Sequence, residues 1–313
     1  MKIIAVFFQA AGALAYPLHT EQYIWRFTHL GMAVESYGGQ FRIVRHQSSY
    51  LGSGHFAHSW ALRDGKVIEA GPITANVVFD KGRFMTDGAI PVFNCQEISE
   101  ICTNKYRTFE LFQAYCPQTY RVETEQEFCA ALKKLPGSEK VMKPIDGLEG
   151  KDVYIGSSEY LQQQQRRYPL LVQEFLDSQE GIPGIVEGIH DFRVAILNGE
   201  IVYSLVRIPA PGELVAGMSR GSTMQVVDTD NIPQVIVKLV AEIDRKLAPY
   251  GARFYGIDLA LVKGQPRIIE LNSRVGLGDN ARHASFKIAK DKLAQVLLSL
   301  CQGSVKVASS SDS

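Results

Sequence analysis

The feature that most constrains this chain is the stretch RFYGIDLALVKGQPRIIELNSR near its end, two alternating runs that fold back on each other about Gly264. Folded there, the stretch sets Asp258 directly opposite Glu270. Side chains alternate faces with period two along a strand, so the two carboxylates share a face, and Asn272 joins them. Leu259, Leu261, Ile269 and Leu271 then point the other way, toward a core. Like charges opposed across a sheet destabilise it unless something bridges them. Two carboxylates and a carboxamide form an oxygen-only set suited to a hard cation, and magnesium keeps further positions for water and phosphate oxygens. Gly256 and Ala260 are small and on the same face, which leaves room for an ion. Spacing alone leaves a second reading open, an amphipathic hairpin with a solvated acidic face.

At 313 residues the chain can form two or three domains, each burying its own core. Lys plus Arg equals Asp plus Glu at 33 each, which argues against nucleic acid as a partner, because phosphate-backbone binding leaves a basic excess. The cysteines at 95, 102, 116, 129 and 301 are odd in number and form no CxxC pair. They suggest neither a disulfide framework nor a zinc site, and read as buried thiols in a reducing compartment. MKIIAVFF is too short for a signal peptide's apolar region and reads as a first strand. No stretch reaches the ~20 apolar residues of a membrane span. A cytoplasmic protein without a membrane partner is the expectation.

Strand and turn signals fill residues 1–95: the strand Lys2–Phe8, a helix from about Thr20 to Leu30, a hairpin at Asp64-Gly65, and the short strands NVVFD and IPVFN. This is an α/β domain. A helix is expected over about 97–115, then the strand QTYRV. The helix TEQEFCAALKKL follows, opened by Thr124 with Glu127 three positions on, a capping-box pattern. The strands KVMKPI, YPLLVQEF, DFRVAILNG and EIVYSLVRIPA come next, the last two joined at Asn198-Gly199, a strong hairpin signal. Helices are expected over about 232–248 and 288–301, before a disordered tail at 303–313. QQQQRRYP between the strands reads as a solvated linker or helix end.

Three further groups of residues carry chemistry. Lys143, at the end of strand KVMKP, offers a fixed charge to phosphate, and Gly147, Gly150 and Gly156 after it allow close backbone approach. The pattern is neither a P-loop nor a dinucleotide fingerprint, and an ordinary surface turn is the competing reading. The strand before Glu174, Phe175, Leu176 and Asp177 could offer backbone groups to a base edge and an acid to ribose hydroxyls; a solvated acidic turn would look alike. Arg193, Arg207 and Arg274 recur at or beside strands, and guanidinium groups suit phosphate and a transferring phosphoryl group as well as plain salt bridges. His55 and His58 lack an acidic third ligand nearby, and no GxSxG nucleophile elbow occurs.

In order, VMKP…GLEG, LVQEFLD, DFRVAILNGEIVYSLVR and GIDLAL…PRIIELNSRVGL resemble the ATP-grasp superfamily over about residues 95 to 300. The resemblance is to its glutathione-synthetase-like and amino-acid-ligase branches, with some likeness to spore-coat-associated members. It implies an ATP-grasp fold, α/β and α+β, with an N-terminal α/β pre-grasp domain at 1–95, a central subdomain at 96–170 and a C-terminal subdomain at 171–302. It implies that Lys105 and Lys143 hold phosphates, that Gly147 to Gly156 form a lid, and that Glu174, Phe175 and Leu176 form the adenine hinge. Asp177 would take the ribose side, with Glu180 as a substitute. Arg193 and Arg207 would face the triphosphate and acyl phosphate, and Asp258, Glu270 and Asn272 would ligate magnesium, or manganese in its place. Where many relatives carry an Asn and Gly pair, this chain has Ser219, Arg220 and Gly221.

The activity implied is an ATP- and magnesium-dependent ligase. A substrate carboxylate attacks the γ-phosphate, and the acyl phosphate then meets an amine. Arg207, with Arg274 behind it, would stabilise the transferring group. The expected partners are small carboxylate and amine substrates, an amino acid or short peptide, and a second copy in a homodimer. Two other readings stay open: a peptide- or protein-modifying, even macrocyclising, ligase, and a non-catalytic nucleotide-binding scaffold or coat-type protein.

Overall fold

The computed structural model describes residues 1–147, 150–216, 221–279 and 282–302. The expected tail at 303–313, and Ser219 and Arg220, lie outside the described residues. The chain divides into two compact units, one made of Met1–Gln96, Tyr250–Arg253 and Gly276–Ser313, the other of Glu97–Pro249 and Phe254–Val275.

In the first unit a continuous apolar run forms β1 (Lys2–Phe8), buried from Ile4 onward. Helix α1 (Glu21–Ser36) starts where expected but runs to Ser36, six residues past Leu30, and Thr20 caps it in backbone conformation only, without a side-chain hydrogen bond. It returns the chain to β2 (Gly39–Arg45), parallel to β1. The short strands β3 (Tyr50–Gly52), β4 (His55–Phe56) and β7 (Ile73–Thr74) make a separate sheet. Between them β5 (Trp60–Arg63) and β6 (Lys66–Glu69) form the expected hairpin. Asp64 and Gly65 both have positive φ, as a two-residue turn matched to strand twist requires. With β8 (Val77–Asp80) and β9 (Val92–Phe93), the larger sheet has the order β6-β5-β2-β1-β8-β9.

Arg45, 2% exposed, ends β2 and donates to the carbonyls of Ala10, Ala15 and Tyr16, so one buried guanidinium shapes the loop after β1. The C-terminal helix Ala284–Leu300 packs on α1 and belongs to this unit, although it falls inside the expected 171–302 subdomain. Leu298 lies over Gly39, and Tyr37 accepts a hydrogen bond from Gln295.

The second unit opens with two helices where one was expected. Asn104 breaks the run into α2 (Gln96–Thr103) and α3 (Lys105–Leu111), because its carboxamide oxygen accepts from the Tyr106 and Arg107 amides and caps a new helix. β10 (Thr119–Val122) leads to α4 (Glu125–Lys134), whose Thr124 hydroxyl accepts from Glu127 N–H as the capping pattern predicts. The Glu127 carboxylate reaches one residue further than a standard box, to Glu123 N–H. β11 (Lys140–Pro144), β12 (Tyr154–Gly156), α5 (Ser158–Gln163) and β13 (Leu170–Glu174) complete an antiparallel sheet of order β10-β13-β11-β12. One face of it buries Met142, Leu170 and Val172 against Phe128, Ala131 and Leu132 of α4.

A second antiparallel sheet has the order β16-β15-β14-β17-β18. It is built from β14 (Asp191–Leu197), β15 (Glu200–Ile208), β16 (Thr223–Val227), β17 (Phe254–Val262) and β18 (Gln265–Asn272). Asn198-Gly199 and Lys263-Gly264 make tight turns with positive φ at both positions. Helix α6 (Gln234–Leu247) packs on this sheet, and its Asp244 accepts from the Tyr255 hydroxyl at 3.1 Å. Tyr255, Ile257, Leu259 and Leu271 are fully buried on that side, which commits the opposite face to the polar residues.

Candidate active site

The polar face of this sheet is one continuous ladder of charge. Arg207 on β15 stands opposite Asp191 on β14, and Arg193, two residues on, stands opposite Asp258 on β17. Asp258 in turn faces Glu270 on β18, and Asn272 follows on the same face opposite Gly256. The expected pairing therefore holds at Gly256, Ile257 and Asp258. Beyond Asp258 a bulge shifts the register, so that Leu259 faces Ile268 and Ile269 is the extra residue. The bulge corrects one assignment: Ile268 is buried in the core and Ile269 is half-buried. A second correction concerns Gly256. A Cβ there would lie 2.9 Å from Val275, so the space over it is filled by that side chain instead of standing open to an ion.

Asp258, fully buried, holds the ladder together. Arg193 grips it with two donors, Nε to Oδ1 and Nη2 to Oδ2, both at 2.5 Å. Arg207 Nη2 donates to Asp258 Oδ2 at 2.6 Å and to Asp191 Oδ2 at 2.5 Å. Asn272 Nδ2 donates to both carboxylates, Asp258 Oδ2 and Glu270 Oε1, each at 3.1 Å. Burial works against charge on Asp258, but the two guanidiniums outweigh it and hold its pKa below the usual carboxylate range. Asp191 goes the other way. Burial, reinforced by the neighbouring Asp258 charge and only partly opposed by Arg207, pushes it up to about 7.

Two lysines complete the cluster. Lys105, at the start of α3, donates to the Gly147 carbonyl at 2.6 Å and lies 3.7 Å from Glu270 Oε2. Lys143 is buried near the end of β11, an interior strand of its sheet. Its ammonium donates to the carbonyl of Ile269 at 3.3 Å, and burial, with Lys105 adding to it, lowers its pKa to about 8. Four cations, Lys105, Lys143, Arg193 and Arg207, thus surround three carboxylates. Such a cluster suits a polyanion better than a lone cation.

Residues 104–275 of the chain match the family described as prokaryotic glutathione synthetase, ATP-grasp domain. The chain belongs to this ATP-grasp family. Among curated relatives, the tetrahydromethanopterin:alpha-L-glutamate ligase of Methanosarcina acetivorans is 28% identical over 194 residues, 58% of this chain and 57% of the relative. The glutathione synthetase of Synechococcus elongatus is 25% identical over 200 residues, 61% and 57% of the two chains. A probable alpha-L-glutamate ligase of Shewanella pealeana is 26% identical over 147 residues, 45% of this chain but only 29% of its own length. These matches therefore span between 29% and 57% of the relatives. In fold, the chain is similar to the D-cycloserine synthetase DcsG, with a TM-score of 0.63, 13% identity and 94% and 99% of the two chains covered. It is also similar to the D-alanine–D-alanine ligase of Bacillus anthracis, with a TM-score of 0.62, 12% identity and 96% and 98% covered.

Within the ATP-grasp match, the other predicted site residues are placed as follows. Glu174 ends β13, where its amide donates to the Gln118 carbonyl and its carboxylate accepts from Gln118 N–H, so its side chain is spent on the neighbouring segment. Phe175 and Leu176 are half-buried after it, and Asp177 and Glu180 are exposed. Of the expected lid, Leu148 and Glu149 lie outside the described residues, Gly150 takes positive φ, and Tyr154–Gly156 are strand, paired with β11. Arg274 follows β18 and is exposed. Gly221, at the edge of the departing segment, also has positive φ.

Asp191 is a member of the cluster that was not among the residues expected from the sequence. The signal was present, since Asp191 sits two residues before Arg193 and so on the same strand face. Among the described residues no group of three His, Cys, Asp or Glu gathers as a metal cage, and no helix is long and apolar enough to cross a membrane. The donor set that fits a divalent ion is the oxygen set of Asp258, Glu270 and Asn272, the two acids being bridged by one carboxamide. In the first unit, a cleft of about 440 Å³ is lined by Glu21, Gln22, Trp25, His29 and Asp279, none of them a predicted site residue.

Proposed function

We propose that this chain is an ATP- and magnesium-dependent ligase that activates a carboxylate as an acyl phosphate and joins it to an amine, forming an amide or peptide bond. The observation that carries the reading is the ladder Arg207–Asp191–Arg193–Asp258–Glu270, with Lys105 and Lys143 beside its acidic end. Membership of the ATP-grasp family supports it, as do relatives named as glutamate ligases and glutathione synthetases.

Asp258, Glu270 and Asn272 would hold the metal, which when bound neutralises charge on the phosphate oxygens. Lys105 and Lys143 bind the phosphate chain from the Glu270 side. Arg193 and Arg207 present guanidiniums from the neighbouring strands toward charge that develops on the transferring group. None of these residues forms a covalent bond to substrate. Their fixed positions on β14, β15, β17 and β18 mean that the site needs little reorganisation as charge moves. Glu174, Phe175 and Leu176 line the adenine side and Asp177 the ribose side in this reading, and the Gly147–Gly156 segment covers the phosphates.

The substrates in this reading are a small carboxylate and an amine of the amino-acid or short-peptide class. The test is ADP release from the purified protein with ATP and magnesium, against pools of amino acids and dipeptides, with Glu270→Ala alongside. Release that depends on one pool and disappears in the variant supports the ligase. A protein that does not bind nucleotide at all sinks it.

A further inference from the structure

The ion pair between Arg207 and Asp191 is half made. A guanidinium and a carboxylate pair best through two parallel hydrogen bonds, one from each of two nitrogens to each of two oxygens. Here Arg207 Nη2 reaches Asp191 Oδ2 at 2.5 Å, yet Arg207 Nε and Asp191 Oδ1 are both buried and have no hydrogen-bond partner among the described residues. One orphan is a donor and the other an acceptor, and they sit on residues already joined by a single bond. Leaving each buried atom unsatisfied is costly, so the arrangement holds only because something else pulls Arg207 aside.

Asp258 supplies that pull. Its Oδ2 accepts from three donors at once, Arg193 Nη2, Arg207 Nη2 and Asn272 Nδ2, while among the described residues Oδ1 takes only Arg193 Nε. In this state the carboxylate oxygens that would meet a divalent cation are covered by guanidinium groups. A cation can be admitted only if at least one of them lets go.

We propose that Asp191 is the positioning residue that receives Arg207 when a divalent cation takes Asp258. Arg207 turns off Asp258 Oδ2 and closes its fork on Asp191, with Nε on Oδ1 and Nη2 on Oδ2. The exchange satisfies both orphaned atoms, uncovers Asp258, and moves a guanidinium without leaving it unpaired. No bond is made or broken beyond hydrogen bonds. Asp191 thereby lowers the cost of metal entry without touching the metal or the substrate. This inference rests on the reading of Asp258, Glu270 and Asn272 as the metal site.

The experiment is a double-mutant cycle read by Mn²⁺ binding, with the free-ion electron paramagnetic resonance signal followed in the presence of saturating ADP and no turnover. Four proteins are compared: wild type, Asp191→Asn, Arg207→Met, and the two substitutions together. Asp191→Asn should weaken Mn²⁺ binding about tenfold when Arg207 is present and less than about twofold when it is Met. Equal weakening in both backgrounds would mean that Asp191 acts through its charge alone and would overturn the proposal, as would unchanged affinity in Asp191→Asn. A wild type that binds ADP but no Mn²⁺ defeats the metal reading itself. Should Asp191→Asn fail to fold, the wild-type protein decides by arginine Nε–H nuclear magnetic resonance. The Arg207 signal, assigned by its loss in Arg207→Lys, should shift and exchange more slowly with solvent when Mg²⁺ is added to the ADP complex. A signal unchanged by Mg²⁺ overturns the exchange.

Discussion

Lys143 and Ile269 are 126 positions apart, yet the Lys143 ammonium donates to the Ile269 carbonyl at 3.3 Å. Ile269 is the residue that the bulge leaves without a partner opposite Leu259. The irregularity in β18 thus turns a ladder carbonyl into an acceptor for a buried cation, and fixes the amine beside Glu270.

That lysine should be a stability cost. Its pKa falls from 10.5 to about 8 because burial disfavours the charge. Lys143→Met is expected to raise the stability of the ligand-free protein by on the order of 1–2 kcal/mol, after allowing for the orphaned Ile269 carbonyl. Nucleotide affinity should fall at least tenfold in the same variant. The unfolded chain holds the proton more tightly between the two pKa values, so wild-type stability rises from about pH 8 toward 10.5. The variant should lose that rise. Urea melts across this range, with ADP titrations beside them, check both parts, and a destabilised variant would contradict the first.

In the proposed reaction Arg207 meets charge that develops during transfer, so Arg207→Ala should lower turnover by roughly 10²–10³ with ADP affinity little changed. Single-turnover kinetics beside equilibrium ADP binding separate the two effects. Intact turnover would remove Arg207 from the chemistry.

His190 gives the fold an acid sensitivity. It is buried, donates from Nδ1 to the Gly188 carbonyl at 2.9 Å, and accepts at Nε2 from Leu261 N–H at 3.1 Å. The bond accepted at Nε2 needs the neutral ring, and burial lowers the pKa below 6.5, opposed in part by the Gly188 carbonyl, which favours a protonated ring. Unfolded chains take up the proton first, so stability should fall as pH drops below about 6.5 and level off below the folded value. Thermal melts from pH 7.5 to 5 on wild type and His190→Gln test this. Equal slopes for the two proteins would assign the sensitivity elsewhere.

Arg45→Lys keeps the charge but replaces a fork that reaches three carbonyls with one ammonium. The cost should be about 2–3 kcal/mol. The loop holding Ala10, Ala15 and Tyr16 should become the first site of limited proteolysis, with the strands following it protected until global unfolding. Cleavage elsewhere first would show that Arg45 does not govern the loop.

Much of this arrangement could be read from residue order because it depends on short-range rules. The turns at Asp64-Gly65 and Asn198-Gly199 and the facing of Asp258 on Glu270 follow from local chemistry and a period of two. The bulge at Ile269 does not, since nothing in GQPRIIELN distinguishes a slipped ladder from a regular one. The burial of Lys143 was not legible, because strand order within a sheet is set by chain segments far away in sequence. The break at Asn104 was legible in principle, as Asn is a strong cap, but the apolar spacing on either side continues as if one helix ran through. Asp191 was legible as a residue on the strand face of Arg193, but its standing opposite Arg207 depends on the register shift between Ala195 and Ile196, which residue order does not reveal.

The break at Asn104 works as a mechanical joint. Lys105 begins a new helix, and its amide donates to the Ile145 carbonyl at 2.9 Å, so its backbone is strapped to the segment after β11. The preceding helix, α2, sits on the far side of that joint. The joint is bent but not loose, because Arg107 pairs with Glu100 and the Thr108 hydroxyl donates to the Ile101 carbonyl at 2.7 Å, so α2 and α3 stay coupled across it. Glu100 and Ile101 are therefore the positions through which a change in 96–103 would be felt by the helix that carries Lys105.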